Sequence, residues 1–154
     1  TVNGEWSDVR NFSIASYVSI SLFNNSLDFG SMQITDEKNT TLVGSPFPMV
    51  VVNGGNVPIN LTLHANSSLW SRSYAGLNTS YFQYMAGNTS ETESFNWSIS
   101  QTSFTNISNV GINLVKLLSH TDTKDSAEIE LKVLVPPDEP SGSKITGLIV
   151  TALY

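Results

Sequence analysis

Residues 50–63 read VVVNGGNVPINLTL and predict two β-strands joined by a turn. The first apolar run, residues 47–52, has apolar side chains on both faces, whereas residues 57–64 alternate apolar with polar side chains. Alternation with a period of two is typical of a strand that buries one face. We expect the glycines of the turn at 53–56 to supply positive φ, and the second strand to pair antiparallel with the first or with another neighbour.

Similar patterns recur at residues 12–22, 80–86, 94–100, 127–135 and 144–154, whereas residues 111–120 fit a short amphipathic helix as well as a strand. In the first of these segments, one parity collects the residues expected to face the core, namely Phe12, Ile14, Val18, Ile20 and Leu22. Strands at roughly 8–12-residue intervals predict an all-β fold, an Ig-like or jelly-roll antiparallel β-sandwich. The expected organisation is a single domain over residues 11–154 and an N-terminal extension over residues 1–10.

The composition limits the classes of function. The chain has 154 residues, a net charge of −6 and no cysteine, which excludes disulfides and thiolate metal sites. A negative surface repels nucleic-acid phosphates and anionic lipids, so no nucleic-acid partner is expected. No apolar run approaches the ~20 residues that span a bilayer, which predicts no membrane insertion. Since the sequence begins with Thr1, we expect a mature form after removal of a signal peptide.

Asn-x-Ser/Thr triplets, the acceptor pattern of N-glycosylation, are the most informative motif. Nine occur, beginning at Asn11, Asn24, Asn39, Asn60, Asn66, Asn78, Asn88, Asn96 and Asn106. Chance alone, with 15 Asn and with Ser or Thr at 37 of 154 positions, predicts about 3.6 triplets. The alternative to glycosylation is an accidental excess in a Ser/Thr-rich β-protein.

The positions of these triplets favour glycosylation, because a glycan cannot be buried. Asn11, Asn60 and Asn96 fall on the face opposite to their apolar neighbours. Four more lie in polar, turn-like clusters: Asn24, Asn66, Asn78 and Asn88. We therefore predict a secreted, extracellular glycoprotein of the cell surface, with covalent N-glycans and no cofactor.

Two predicted strands, residues 47–52 and 145–154, are apolar on both faces. A sandwich strand normally buries one face only. Either another part of this chain or a neighbouring subunit must then cover the second face, since extended apolar patches on a soluble monomer promote association.

The segment at 50–63 also resembles small secreted Ig-like β-sandwich proteins, of the type of the camelysin-like biofilm-fibre proteins and the archaeal bundling-pilus subunits. Residues 27–32 (LDFGSM), 125–136 and 140–142 (PSG) strengthen the similarity, which covers about half of the chain. In those families, subunits polymerise when an N-terminal segment of one subunit completes the sheet of the next.

The resemblance implies that the N-terminal extension acts as a donor strand, with Val2, Trp6 and Val9 as the strand-exchange residues. Val2 and Trp6 share a parity that Val9 breaks. The expected partners are copies of the same chain, joined head to tail in a homopolymer.

Motifs for catalysis and metal binding are weak. The two histidines, His64 and His120, have no evident catalytic partner, and the chain contains neither a Gly-x-Ser-x-Gly nor a His-Glu-x-x-His motif. A solvated strand face or loop explains two carboxylate pairs, Glu91/Glu93 and Glu128/Glu130. No enzyme is predicted. In the loop at 119–126, Asp122 and Asp125 are candidate Ca²⁺ ligands, although the loop lacks the spacing of an EF-hand and also fits a capped turn.

These observations predict a structural subunit of an extracellular glycosylated filament, a pilus or surface fibre assembled by β-strand complementation. The alternative is a secreted carbohydrate-binding or adhesive β-sandwich module that contacts other cells or surfaces. Five aromatic residues could form its stacking platform or could instead pack in the core: Trp70, Tyr74, Tyr81, Tyr84 and Trp97.

Overall fold

The computed structural model describes residues 12–42 and 46–154. The predicted donor residues Val2, Trp6 and Val9 and the first acceptor, Asn11, lie outside the described residues. The described part is built almost entirely of β-strands, with two single-turn 3₁₀ helices at Ser73–Ala75 and Trp97–Ile99. The strands are β1 (Ile20–Phe23), β2 (Glu37–Asn39), β3 (Met49–Asn53), β4 (Ile59–Ala65), β5 (Phe82–Gly87), β6 (Thr105–Asn106), β7 (Ile112–Leu118), β8 (Ser126–Leu134) and β9 (Leu148–Leu153).

The strands form two antiparallel sheets. Sheet 1 has the order β1-β3-β8-β5-β6, and β2 pairs with the far end of β8. Sheet 2 has the order β7-β4-β9. The inward side chains of both sheets pack into one hydrophobic core, to which Val51 and Ile129 contribute from sheet 1 and Leu61 and Val115 from sheet 2. The predicted all-β sandwich class is therefore confirmed.

The segment at 50–63 crosses from one sheet to the other. Strand β3 pairs with β1 and β8, whereas β4 pairs with β7 and β9, so the two strands are neighbours in sequence but not in a sheet. In β4, buried residues alternate with half-buried ones throughout the strand, as the sequence pattern predicts. The prediction of an antiparallel neighbour is confirmed, and the neighbour is not β3.

The turn at 53–56 differs from the expectation about its glycines. The positive-φ glycines among the described residues are Gly30 and Gly142, so Gly54 and Gly55 do not supply positive φ. Gly55 is required instead by close approach, because a Cβ at this position would lie 2.4 Å from the carbonyl oxygen of Tyr17. The neighbouring backbone, not the turn conformation, therefore explains the glycine.

The structure of three other segments decides one open prediction and contradicts two others. Residues 111–120, left open between helix and strand, form the irregular strand β7, in which Leu117 has a φ of 56°. Residues 94–100 do not form a strand, because a 3₁₀ turn at Trp97–Ile99 interrupts the extended backbone. The predicted core face of residues 12–22 is wrong for its first half: Phe12 and Ile14 are 88% and 79% exposed, because the described part of the chain covers only the later residues of this segment.

Candidate assembly surface and glycan acceptors

Besides β7, four described strands, the short β2 and β6 and the longer β1 and β9, pair with one neighbouring strand only, and β1 and β9 present the longer unpaired edges. In the described part of the chain, β1 forms backbone hydrogen bonds only with β3, and β9 only with β4. The outer edge of β7 is different, because residues 94–101 run beside it: the backbone N–H of Asn96 donates to Lys116 O at 2.9 Å, and that of Gln101 donates to Leu114 O at 2.9 Å. An unpaired edge presents N–H and C=O groups to which a further strand can bind.

The edges of β1 and β9 lie on the same side of the molecule. The hydroxyl of Ser16, just before β1, donates to the Tyr154 hydroxyl at 3.2 Å, just after β9. The inward side chains of both strands contact the core but are only half-buried, unlike those of the central strands: Ile20, Leu22, Leu148, Val150 and Ala152. We call this region, formed by residues 12–23 and 145–154, the open side of the sandwich.

Exposed apolar side chains are concentrated on the open side. It carries nine of the seventeen large hydrophobic residues that are exposed in the described chain: Phe12, Ile14, Tyr17, Val18, Phe23, Ile145, Ile149, Leu153 and Tyr154. Contiguous exposed apolar surface usually marks an interaction site. No described residue covers the outer face of β9, where Ile149 and Leu153 remain 43% and 48% exposed.

The glycan acceptors avoid the interior. Of the eight acceptors that the structure describes, five are exposed and three, Asn39, Asn60 and Asn106, are half-buried. Asn53, in contrast, belongs to no acceptor triplet and is 1% exposed. The exposure of the acceptors permits glycosylation, although it does not show that glycans are attached.

The acceptors also avoid the strands of the open side. No triplet begins within residues 12–23 or 107–154, although Asn11 and Asn24 flank the first of these segments. Two acceptors lie close to β9: Asn66 exchanges hydrogen bonds with Gly147 just before the strand, and Asn60 lies opposite Leu153 across the two strands. Directly opposite residues point to the same face of a sheet, so a glycan on Asn60 would cover the outer face of sheet 2 and leave the hydrogen-bonding edge of β9 free.

The predicted metal and catalytic residues do not form a cluster. No group of three or more His, Asp or Glu residues in the described part of the chain could hold a metal ion. Asp122 is exposed, and burial, followed by the nearby charges of Glu91 and Asp122, raises the pKa of Asp125. His64 is half-buried on the outer face of β4 and its Nδ1 has no hydrogen-bond partner among the described residues, while His120 is exposed.

The five aromatic residues do not form one platform, although Trp70, Tyr74 and Tyr81 are neighbours. Trp70 and Tyr84 are buried, and each uses its polar atom inside the fold: Trp70 Nε1 donates to Tyr81 O at 3.0 Å, and Tyr84 Oη donates to Asn113 O at 2.6 Å. Tyr74 packs edge-on against Tyr81. Trp97 lies apart from them and is 48% exposed.

Sequence reasoning missed one buried carboxylate, Glu139, and was wrong for another, Glu130, which it placed on a solvated strand face or loop. Glu130 is 6% exposed on the outer face of β8 and accepts a hydrogen bond from the Thr40 hydroxyl. Glu139 is 8% exposed in the connection between β8 and β9, where it pairs with Lys144 at 2.5 Å and accepts from the Ser71 backbone N–H at 2.9 Å. Thr40 and Ser71, which donate to Glu130 and Glu139, are distant in sequence, so no local pattern indicates the burial of the two carboxylates.

Comparison of the chain with protein-family models, curated proteins and solved structures finds no match. Among the described residues, no helix is long and apolar enough to cross a membrane. The function is therefore argued from the edges, the exposed apolar residues and the acceptor positions.

Proposed function

We propose that this protein is a non-enzymatic, N-glycosylated structural subunit of an extracellular filament, in which copies of the chain join by β-strand addition at the open side. The observation that carries the proposal is the coincidence of the unpaired edges of β1 and β9 with nine of the seventeen exposed large hydrophobic residues of the described chain. Main-chain hydrogen bonds to an added strand supply affinity, and alternate side chains supply specificity.

Glycosylation at the predicted acceptors fits the same mode of assembly. Strands β1 and β9, which form the open side, carry no acceptor, whereas Asn24 and Asn60 lie next to them and other parts of the surface carry several. Bulky glycans would block contacts through the sheet faces and loops, and would direct docking to the bare edges. A donor segment that inserts into a different region of the next copy makes a heterologous contact, which gives an open filament when the rotation does not close.

The proposed donor is the N-terminal extension, residues 1–10, which leads directly into the exposed residues 12–18. The test is removal of residues 1–10, followed by negative-stain microscopy and sedimentation velocity. We expect the full chain to form fibres and the truncated chain to remain monomeric, with unchanged circular dichroism. A synthetic peptide of residues 1–10, TVNGEWSDVR, should bind the truncated chain, and a scrambled peptide of the same composition is the matched control.

Two results would contradict the proposal. One is a full-length chain that stays monomeric at high concentration with its N-terminus intact. The other is a truncated chain that assembles as well as the full-length one, because the donor would then lie elsewhere.

A further inference from the structure

A shallow cleft on the connection between β5 and β6 is distinct from the open side. It is open to solvent and has a volume of about 510 Å³. Two glycan acceptors, Asn88 and Asn96, line it together with Glu93, Phe95 and Trp97. Acceptor amides and an exposed indole therefore share one cleft.

The Trp97 ring packs against Phe95, and about half of the residue is exposed. Its ring stacks on Phe95, with 5.7 Å between the ring centroids and 26° between the planes. Phe95 is itself 8% exposed and part of the core, so it fixes the orientation of the indole. About half of Trp97 nevertheless remains exposed, although a tryptophan side chain gains more from burial than almost any other.

The chemistry of the cleft suits a sugar. The negative π-face of an indole attracts the weakly positive C–H groups on one side of a pyranose ring. The Glu93 carboxylate can accept hydrogen bonds from sugar hydroxyls. It stays ionised because its hydrogen bond and ion pair with Lys124, at 2.8 Å, lower its pKa.

We propose that this cleft is a carbohydrate-binding site, occupied by the inner sugars of the glycan attached to Asn88 of the same chain. The inference rests on the glycosylation that forms part of the proposed function. Asn88 is exposed, and its side chain makes no hydrogen bond within residues 12–42 and 46–154. It therefore provides a free point of attachment on the wall of the cleft.

Asn96 is a less suitable attachment site than Asn88 for a glycan that occupies the cleft. Its side-chain oxygen accepts a hydrogen bond from the Ser98 hydroxyl at 2.8 Å, which fixes the orientation of the amide whose nitrogen would carry the glycan. Its backbone is extended, with φ −76° and ψ 96°. Side chains of consecutive residues in extended backbone project to opposite sides, so a glycan on Asn96 starts away from the Trp97 ring.

The test removes the Asn88 acceptor triplet without changing Asn88. Ser90→Ala abolishes the triplet at Asn88, and Ser80→Ala, the matched control, abolishes the triplet at Asn78, outside the cleft; both serines are exposed. The proteins are produced in a host that attaches N-glycans, and the oxidation of Trp97 by hydroxyl radicals is measured by mass spectrometry. We expect Ser90→Ala to raise the oxidation rate of Trp97 and Ser80→Ala to leave it unchanged.

A thermodynamic cycle provides a second readout. If the glycan stacks on Trp97, the effects of Trp97→Ala and Ser90→Ala on the free energy of unfolding should be non-additive. The expected coupling is roughly three- to tenfold in the unfolding equilibrium constant. Trp97→Ala and Ser80→Ala should be additive. Additive effects in the first cycle, or unchanged Trp97 oxidation in Ser90→Ala, would overturn the proposal.

The same measurements separate this inference from the proposed filament. Intact-mass analysis that finds Asn88 unoccupied overturns the sugar site, while fibre formation by the full chain still supports the subunit role. Protection of Trp97 that persists in Ser90→Ala and grows with protein concentration also overturns it, since a neighbouring molecule would then occupy the cleft.

Discussion

Asn53 illustrates how one side chain can hold the turn that connects the two sheets. Its Nδ2 lies within hydrogen-bond distance of three carbonyl oxygens, those of Val57, Leu118 and Ser119, and its Oδ1 accepts from the Gly55 N–H at 3.0 Å. A buried amide with these partners joins the end of β3 to the start of β4 and the end of β7. The sequence placed Asn53 in a turn but could not indicate its burial, because two of its partners lie 65 and 66 residues away.

Asn53→Ala should therefore destabilise the fold by about 2–3 kcal/mol, since it leaves buried carbonyl groups without donors. Urea unfolding followed by fluorescence measures the change. Asn109→Ala is the control, because Asn109 is exposed and its side chain makes no hydrogen bond in the described structure. Equal stability of the two variants would contradict this account.

Glu128 and Glu130 are two residues apart on the outer face of β8 and share one environment. Burial raises the pKa of Glu128 from its ordinary value of 4.5 to about 7, and the charge and hydrogen bond of Glu130 contribute to the same shift. The folded state thus favours the protonated carboxyl. The contribution of Glu128 to the free energy of unfolding is therefore largest below pH 4.5 and decreases as the pH rises from 4.5 to about 7. Above pH 7 this contribution no longer changes.

Glu128→Gln should accordingly stabilise the protein more at pH 8 than at pH 4.5, as measured by urea unfolding at both pH values. Glu93→Gln is a control for which we expect the opposite pH dependence of stability. Lys124 lowers the pKa of Glu93, so the stabilisation from that carboxylate is present at neutral pH and lost in acid. That effect should be small, because the Glu93 side chain is 79% exposed. The prediction for Glu128 fails if the variant and the parent have parallel pH profiles.

At the scale of the elements, the connection between β8 and β9 is fixed by contacts with the loop after β4. Arg72 of this loop pairs with Asp138 at 3.3 Å, and the Ser71 N–H donates to Glu139 at 2.9 Å. Within the connection, Lys144 pairs with Glu139 at 2.5 Å. Burial alone would raise the pKa of Glu139, but Lys144 and the hydrogen bonds from Ser71 outweigh it and lower the pKa to about 2. These contacts hold the beginning of β9 in place and leave its outer edge unpaired.

Lys144→Met should destabilise the protein by about 3–5 kcal/mol at pH 7, because it leaves a buried carboxylate without its cation. The double variant with Glu139→Gln should recover much of the loss, since the remaining side chain is neutral. Chemical denaturation of the two single variants and the double variant measures the difference. Equal destabilisation in Lys144→Met and the double variant would show that packing, not charge, is responsible.

A strand could be predicted reliably from the sequence only where one of its faces is buried against the core. Strands β4, β5 and β8 bury one face against the core, and that requirement leaves a period of two in the sequence, whereas β9 half-buries one face although its sequence is apolar on both. Residues 94–100 carry a similar alternation, yet they lie at the edge of β7, where a 3₁₀ turn replaces regular pairing. Residues 12–18 alternate as well, but the described chain supplies no surface to cover them.

For the whole molecule, the proposed assembly depends on apolar residues of β9 beside an unpaired edge. Ile149→Lys and Leu153→Lys should each reduce fibre formation, because a charge on an edge strand opposes the addition of another strand. Val110→Lys is the matched control, since Val110 is 61% exposed and lies outside the open side. Negative-stain microscopy and pelleting measure assembly, and circular dichroism confirms folding. Loss of fibres in Val110→Lys as well would point to a general effect of charge.

The sequence by itself determined the all-β class, most strand positions and the exposed, polar setting of Asn24, Asn66, Asn78 and Asn88. These features leave a local signal, because a half-buried strand must alternate and a turn needs polar residues or glycine. Only the tertiary structure decided which strands share a sheet, which edges stay unpaired, and which carboxylates and asparagines are buried. Those properties depend on contacts between residues far apart in the chain, such as Thr40 with Glu130 and Ser16 with Tyr154, for which no local pattern exists.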